Sequence, residues 1–199
     1  VRLSSGKMSS RTGEVIVALD FIAEIADAAQ ARIKEANPEL VEDRELAESM
    51  ALAAIKYSTL KGNILQDSVF DKEQALSFEG ASGPYLQYTY ARIQSVLRKA
   101  ADVGMASALV RTPAQAYTIE RLVYRFEAIT KEAVVERAPH KVAQYLTELA
   151  GSFNTFYAQE KIADPDDEFA PYKLALTTAV GHTLKNGLWL LAIKAPERM

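Results

Sequence analysis

The sequence contains no cysteine, which excludes disulfides and thiolate metal sites alike. It has two histidines, His140 and His182, far apart in the chain, so no zinc-binding constellation can be read. No apolar run reaches the ~18 residues that a membrane span requires. The longest, residues 187–193, has the length of a buried helix end. A secretory signal is missing as well, and the expectation is a soluble, cytoplasmic chain with no membrane partner. An excess of positive charge is also lacking. The net charge of −3 argues against gripping nucleic acid by bulk electrostatics, but it leaves room for a local basic patch. There is no initiator methionine: Val1-Arg2-Leu3 leads straight into a loop-like segment, as expected of a piece taken from a longer protein. What is present suffices for a packed core, since 49% of the 199 residues are hydrophobic and 25% are charged.

Residues 1–18 are the least helical stretch. Ser4 to Gly13 is small, polar and glycine-bearing, and the β-branched Val15-Ile16-Val17 predicts a short strand. Leu19, Ile22, Ala26, Ala29 and Ile33 then recur at helical spacing up to Asn37-Pro38. A second helix is predicted from about Glu45 to Lys56, followed by loops and short turns from Tyr57 to Gly83. From Pro84 onward the reading is all helix. Leu86, Tyr90, Ile93, Leu97 and Ala100 form one apolar stripe. Thr112-Pro113-Ala114-Gln115 has the form of a capping box, and Ile119, Leu122, Phe126, Ile129 and Ala133 continue that helix. Pro139 opens a helix striped by Val142, Leu146, Leu149, Phe153 and Phe156, and the last carries Thr177, Val180, Leu184, Leu188 and Leu191. The fold class is therefore all-α: a helical bundle over 84–199, preceded over 1–83 by a mostly helical segment with a short strand and loop. The bundle is expected to fold on its own.

Two surfaces stand out. At about 100° per residue, Tyr85, Tyr88, Arg92, Ser95 and Lys99 fall on the side of their helix opposite its apolar stripe, with Arg98 nearby. Flat rings beside cations suit unstacked RNA bases and their phosphates; alternatively the tyrosines pack against a neighbouring helix. On the Pro139 helix, Tyr157 lies at the stripe's edge with Asn154 and Lys161 beyond it, able to stack, read and neutralise a nucleotide. Asn154 reads equally well as a helix-surface amide. The acidic pairs Glu42-Asp43 and Asp166-Asp167 read as solvated loops, and no metal site is expected.

The loop Gly6-Lys7-Met8-Ser9-Ser10-Arg11 resembles the Lys-Met-Ser-Lys-Ser loop of class I aminoacyl-tRNA synthetases. Residues 54–60, 70–71 and 76–93 are similar to the run that joins the catalytic core of arginyl-tRNA synthetases to their anticodon-binding domain. Residues 145–157, 187–193 and the closing Pro196-Glu-Arg-Met199 are similar to that family's C-terminus, in the same order. The resemblance implies the C-terminal part of an arginine–tRNA ligase, which attaches arginine to its tRNA through arginyl-adenylate, using ATP with Mg. Residues 1–83 would then be a remnant of the catalytic core, with the ATP loop at 7–11, and residues 84–199 the anticodon-binding bundle.

In this resemblance Lys7 and Ser10 take catalytic positions, and Lys7, Met8, Ser9, Ser10 and Arg11 lie against ATP. Ser10 stands where many members have a second lysine. Such a mobile cationic loop offsets charge building on the phosphates. The anticodon stem-loop would meet Tyr85, Tyr88, Arg92, Arg98, Lys99, Asn154, Tyr157, Lys161 and Met199, the last read as the natural C-terminus. The piece alone is expected to be inactive, because the nucleotide-binding core is absent from it, and to be monomeric. The competing reading is a non-catalytic RNA-binding helical module.

Overall fold

The computed structural model describes residues 2–3, 17–37, 43–106 and 111–199. The loop of Lys7, Met8, Ser9, Ser10 and Arg11 lies outside the described residues, as do Val15 and Ile16 of the expected strand. Val17 is extended and forms the N-cap of the first helix. The described elements are β1 (Arg2–Leu3), α1 (Ala18–Ala36), α2 (Arg44–Leu60), β2 (Val69–Phe70), α3 (Lys72–Ala75), α4 (Gly83–Asp102), α5 (Thr118–Val135), α6 (Pro139–Gln159) and α7 (Ala170–Leu190). β1 and β2 pair in parallel, Arg2 with Val69 and Leu3 with Phe70. Among the described residues no helix is long and apolar enough to cross a membrane.

Local chemistry accounts for most of the helix starts. Asp43 accepts the Leu46 N–H at 2.9 Å to cap α2, and Ser82 accepts the Tyr85 N–H at 3.0 Å to cap α4. The expected capping box at Thr112 does not open a helix. α5 begins six residues later, where the Glu120 carboxylate accepts the Tyr117 N–H at 2.8 Å. Glu120 thus supplies what Gln115 was expected to supply, and Pro113 lies in the preceding loop. α2 also outruns its expected end at Lys56, and the stretch read as loop holds its last turn, β2 and α3.

Three helices end alike, with a left-handed residue and paired backbone bonds. After α7, Ala192 (φ 55°) donates to the Trp189 carbonyl and Ile193 to Leu188, both at 2.9 Å. Arg137 and Gly104 play the same part after α5 and α4.

Two apolar clusters form. The smaller joins α1, α2, β2 and α3 through residues such as Ile25, Met50, Phe70 and Leu76. Leu19, expected on the buried stripe of α1, is exposed instead. The larger is the bundle core, with the predicted stripes of α4, α6 and α7 buried in it except for Leu97, which is half-buried against it. α2 enters both. Its Ala53 and Tyr57 belong to the bundle core, and the buried Tyr57 hydroxyl hydrogen-bonds Thr147 of α6 at 2.6 Å. The bundle core is therefore not confined to residues 84–199, contrary to the expectation from the sequence.

Two outcomes follow for chemical denaturation. A fragment of residues 43–199 should unfold in one cooperative transition, whereas 84–199 should be less stable by roughly 3 kcal/mol or more, the scale of an emptied aromatic site. Ala192→Gly should stabilise the chain by about 1 kcal/mol, because glycine tolerates the left-handed conformation that alanine resists.

Candidate nucleic-acid interface

The outer face of α4, the end of α6, the 160–165 segment and the closing residues 198–199 enclose an open cleft of about 900 Å³. Seven of the nine residues expected to meet RNA line it: Tyr88, Arg92, Arg98, Lys99, Tyr157, Lys161 and Met199. They come from one helix face, a second helix end and the C-terminal segment, which only the fold brings together.

Arg92 sits at the centre. Its guanidinium lies 4.8 Å from the Tyr88 ring centroid and 5.2 Å from that of Tyr157, a cation between two aromatic faces. It donates to the Asn154 carbonyl oxygen at 2.5 Å and to the Tyr88 hydroxyl at 3.2 Å. The Asn154 amide nitrogen donates in turn to the Tyr85 hydroxyl at 3.0 Å and to Thr89 Oγ1 at 3.2 Å. Both ends of Asn154 are therefore engaged within the protein. Tyr85 and Asn154 are the two expected residues that do not line the cleft. They form the joint between α4 and α6 behind it, and Tyr85 packs against the bundle core.

The aromatic and charged surfaces differ in how firmly they are held. Tyr157 is 43% exposed and rests on buried Phe153, with ring centroids 6.3 Å apart and nearly parallel planes. Tyr88 leans on Phe78 at 5.6 Å. Arg98 donates to the Glu197 carbonyl at 3.2 Å, while Lys99, Lys161 and Arg198 are exposed. Met199 reaches past the cleft to pack on the smaller apolar cluster. Arg92, Arg98, Lys99, Lys161 and Arg198 outnumber the cleft's two carboxylates, Glu160 and Asp164, so the lining is locally cationic on an acidic chain. Exposed ring faces and exposed cations can stack bases and neutralise phosphates.

Sequence reasoning missed the support behind the 160–165 segment. Buried Lys173 of α7 pairs with Glu160 at 2.5 Å and Asp167 at 2.7 Å. Asp167 was expected to be solvated; it also accepts the Phe169 N–H at 2.8 Å. The hydrogen bond from Lys173, then that from Phe169, holds the Asp167 carboxyl below its ordinary value. Burial pushes Lys173 down, but the bonds to Asp167 and Glu160 outweigh it and leave the ammonium above its ordinary value. The pairing therefore stabilises the fold above the ordinary carboxylate range. Its contribution is lost as pH falls through the lowered Asp167 value or rises through the raised Lys173 value. The available signal was a lysine placed among Ala170, Leu174 and Thr177 on the buried side of α7.

Comparison with known proteins places these features. Residues 86–199 match the family described as "DALR anticodon binding domain", and residues 3–72 match "tRNA synthetases class I (R), catalytic domain". The chain is 37% identical over 97% of its length to an arginine–tRNA ligase of Ligilactobacillus salivarius, and 34% identical over its full length to one of Pyrococcus furiosus. It spans 34% of each of those proteins. The Thermus thermophilus arginyl-tRNA synthetase structure superposes on all of it with a TM-score of 0.82 and 34% identity, and the chain covers 34% of that structure's length.

Asn154→Ala removes three internal hydrogen bonds at once and leaves Arg92 without its anchor. It should destabilise the chain by about 1–3 kcal/mol, the scale of unmade bonds to partly buried groups. Equilibrium denaturation checks this, and an unchanged midpoint would mean that the amide carries no structural role.

Proposed function

Because the chain belongs to the family of DALR anticodon-binding domains, we propose that it is the C-terminal part of an arginine–tRNA ligase and that its cleft receives the anticodon stem-loop of tRNA. The observation that carries this reading is the cleft itself, where Arg92 is held between Tyr88 and Tyr157 within a ring of exposed cations. In the proposed whole enzyme, arginine and ATP form arginyl-adenylate and pyrophosphate, and the arginyl group then passes to the terminal adenosine of the tRNA. Lys7, Met8, Ser9, Ser10 and Arg11 are assigned to ATP by their resemblance to the class I loop, with Mg bound mainly by parts of the enzyme beyond this chain. The match of residues 3–72 to a class I catalytic domain favours this reading over a freestanding RNA-binding module. Such a protein would act in the cytoplasm, as a monomer.

Roles within the cleft are apportioned by contact. Tyr157 and Tyr88 offer stacking faces; Lys99, Lys161 and Arg98 offer charge to phosphates; Met199 contributes a pliant apolar surface beside them. Arg92 orients the two rings and presents positive charge between them. Asn154 and Tyr85 set the position of Arg92 from behind.

The test uses the 199-residue chain, arginine tRNA and fluorescence titration over a range of salt. The chain should bind tRNA yet catalyse neither pyrophosphate exchange nor aminoacylation. Tyr157→Ala should cost about 1–3 kcal/mol, the range for one stacked base, with little change in salt dependence. Lys161→Ala should lower the salt slope by about one released counterion. Arg92→Ala should do both. If none of the three alters tRNA affinity, the cleft is not the RNA-binding face.

A further inference from the structure

Among the described residues, Lys173 is the single charged side chain that is buried; its side chain is 8% exposed. The two carboxylates it holds lie at opposite ends of one connection. Glu160 terminates α6, and Asp167 leads into α7. The chain between them forms a wall of the cleft through Lys161, Ala163, Asp164 and Pro165, while Ile162 anchors it in the bundle core. Backbone bonds inside the connection are few: Asp167 donates to the Asp164 carbonyl at 3.2 Å, and Ala170 to Asp167 at 3.0 Å. One ammonium thus closes a segment that has little regular structure of its own. Tyr117, at the start of α5, faces the same cluster, and burial above all holds its hydroxyl proton more tightly than usual.

We propose that Lys173 is a positioning residue for the cleft, a clasp that presets the 160–167 wall against the Tyr157 and Arg92 face. The proposal rests on the RNA reading of that cleft. Removing one member of a buried ion pair leaves the others uncompensated. Without the ammonium, Glu160 and Asp167 repel each other across the site and the wall loosens. Lys161 and Asp164 then lose their fixed place beside Tyr157. Because the clasp forms on folding, the cost of ordering the wall does not fall on RNA binding, and affinity benefits from preorganisation.

The experiment compares the wild-type chain with Lys173→Met and Lys173→Arg, well below the unfolding midpoint of each. Hydrogen exchange should quicken about tenfold in Lys173→Met at amides 161–168, where the closing bonds are lost, and not in the interiors of α4 and α6. Affinity for an RNA hairpin carrying an arginine anticodon should fall about tenfold, and the salt slope should flatten by no more than the one counterion assigned to Lys161, because Lys173 itself touches no phosphate. Lys173→Arg, which keeps the charge, should restore both.

Unchanged exchange at 161–168 would overturn the clasp, whether or not the RNA binds. Faster exchange with unchanged affinity would show that the wall does not serve the cleft. A salt slope flattened by more than that one counterion would mean that Lys173 meets phosphate directly. If the wild-type chain fails to bind the hairpin, the RNA reading fails, and with it the part of this inference that concerns the cleft. Should Lys173→Met not fold, Glu160→Gln removes one arm of the clasp and is read in the same way.

Discussion

With only hydrogen as its side chain, Gly83 lets the start of α4 rest directly on α2; a methyl group there would overlap the Ala53 carbonyl. This close crossing lets α2 belong to two cores at once. One part of the helix, around Met50, packs on α1 and Phe70, while Ala53 and Tyr57 enter the bundle. It also fixes where α4 starts, and hence which way Tyr88 and Arg92 face five and nine residues later. The bundle meets the N-terminal elements through shared packing, not through a free linker.

The cleft is built in layers. Exposed rings and cations form its surface, Arg92 ties two of those rings together, and Asn154 with Tyr85 ties Arg92 to the helix joint. Behind the opposite wall, Lys173 holds Glu160 and Asp167. Asn154, Tyr85, Glu160 and Asp167 each find a partner on another element. The side chains at the surface are thus held by partly buried supports set behind them.

The parts of this arrangement that could be read from sequence were those governed by one helix at a time. The stripes of α4, α6 and α7 follow a single period, and all but the half-buried Leu97 are buried as that period requires. The tyrosine–cation face of α4 could be read for the same reason, though only the fold shows that Tyr85 turns into the α4–α6 joint while Tyr88 opens on the cleft. Tyr57 looked like the start of a loop because its partner, Thr147, lies ninety residues away. Asn154 read equally well as a nucleotide reader or a surface amide, because a lone sequence cannot show that its donors and acceptor are already taken. Asp167 looked solvated because its partner sits on the buried face of the next helix. Each of these three roles depends on a residue in another element, and helical periodicity carries no record of such pairs.

The C-terminal segment has a further consequence. From Ala192 onward it is irregular, and much of what holds it comes from side chains elsewhere. Lys56 donates to the Ala192 carbonyl, Gln87 to that of Lys194 and Arg98 to that of Glu197, and Met199 packs on the α1–α2 cluster. Carbonyl oxygens are the same in every residue, so these contacts do not depend on which amino acids occupy positions 192, 194 and 197. The donors Lys56, Gln87 and Arg98 enjoy no such freedom. Sequence drift along this segment should accordingly be permissive at positions 194 and 197, narrowed at the left-handed position 192 and restrained at the distant donors, so that the segment keeps its path while much of its own spelling changes.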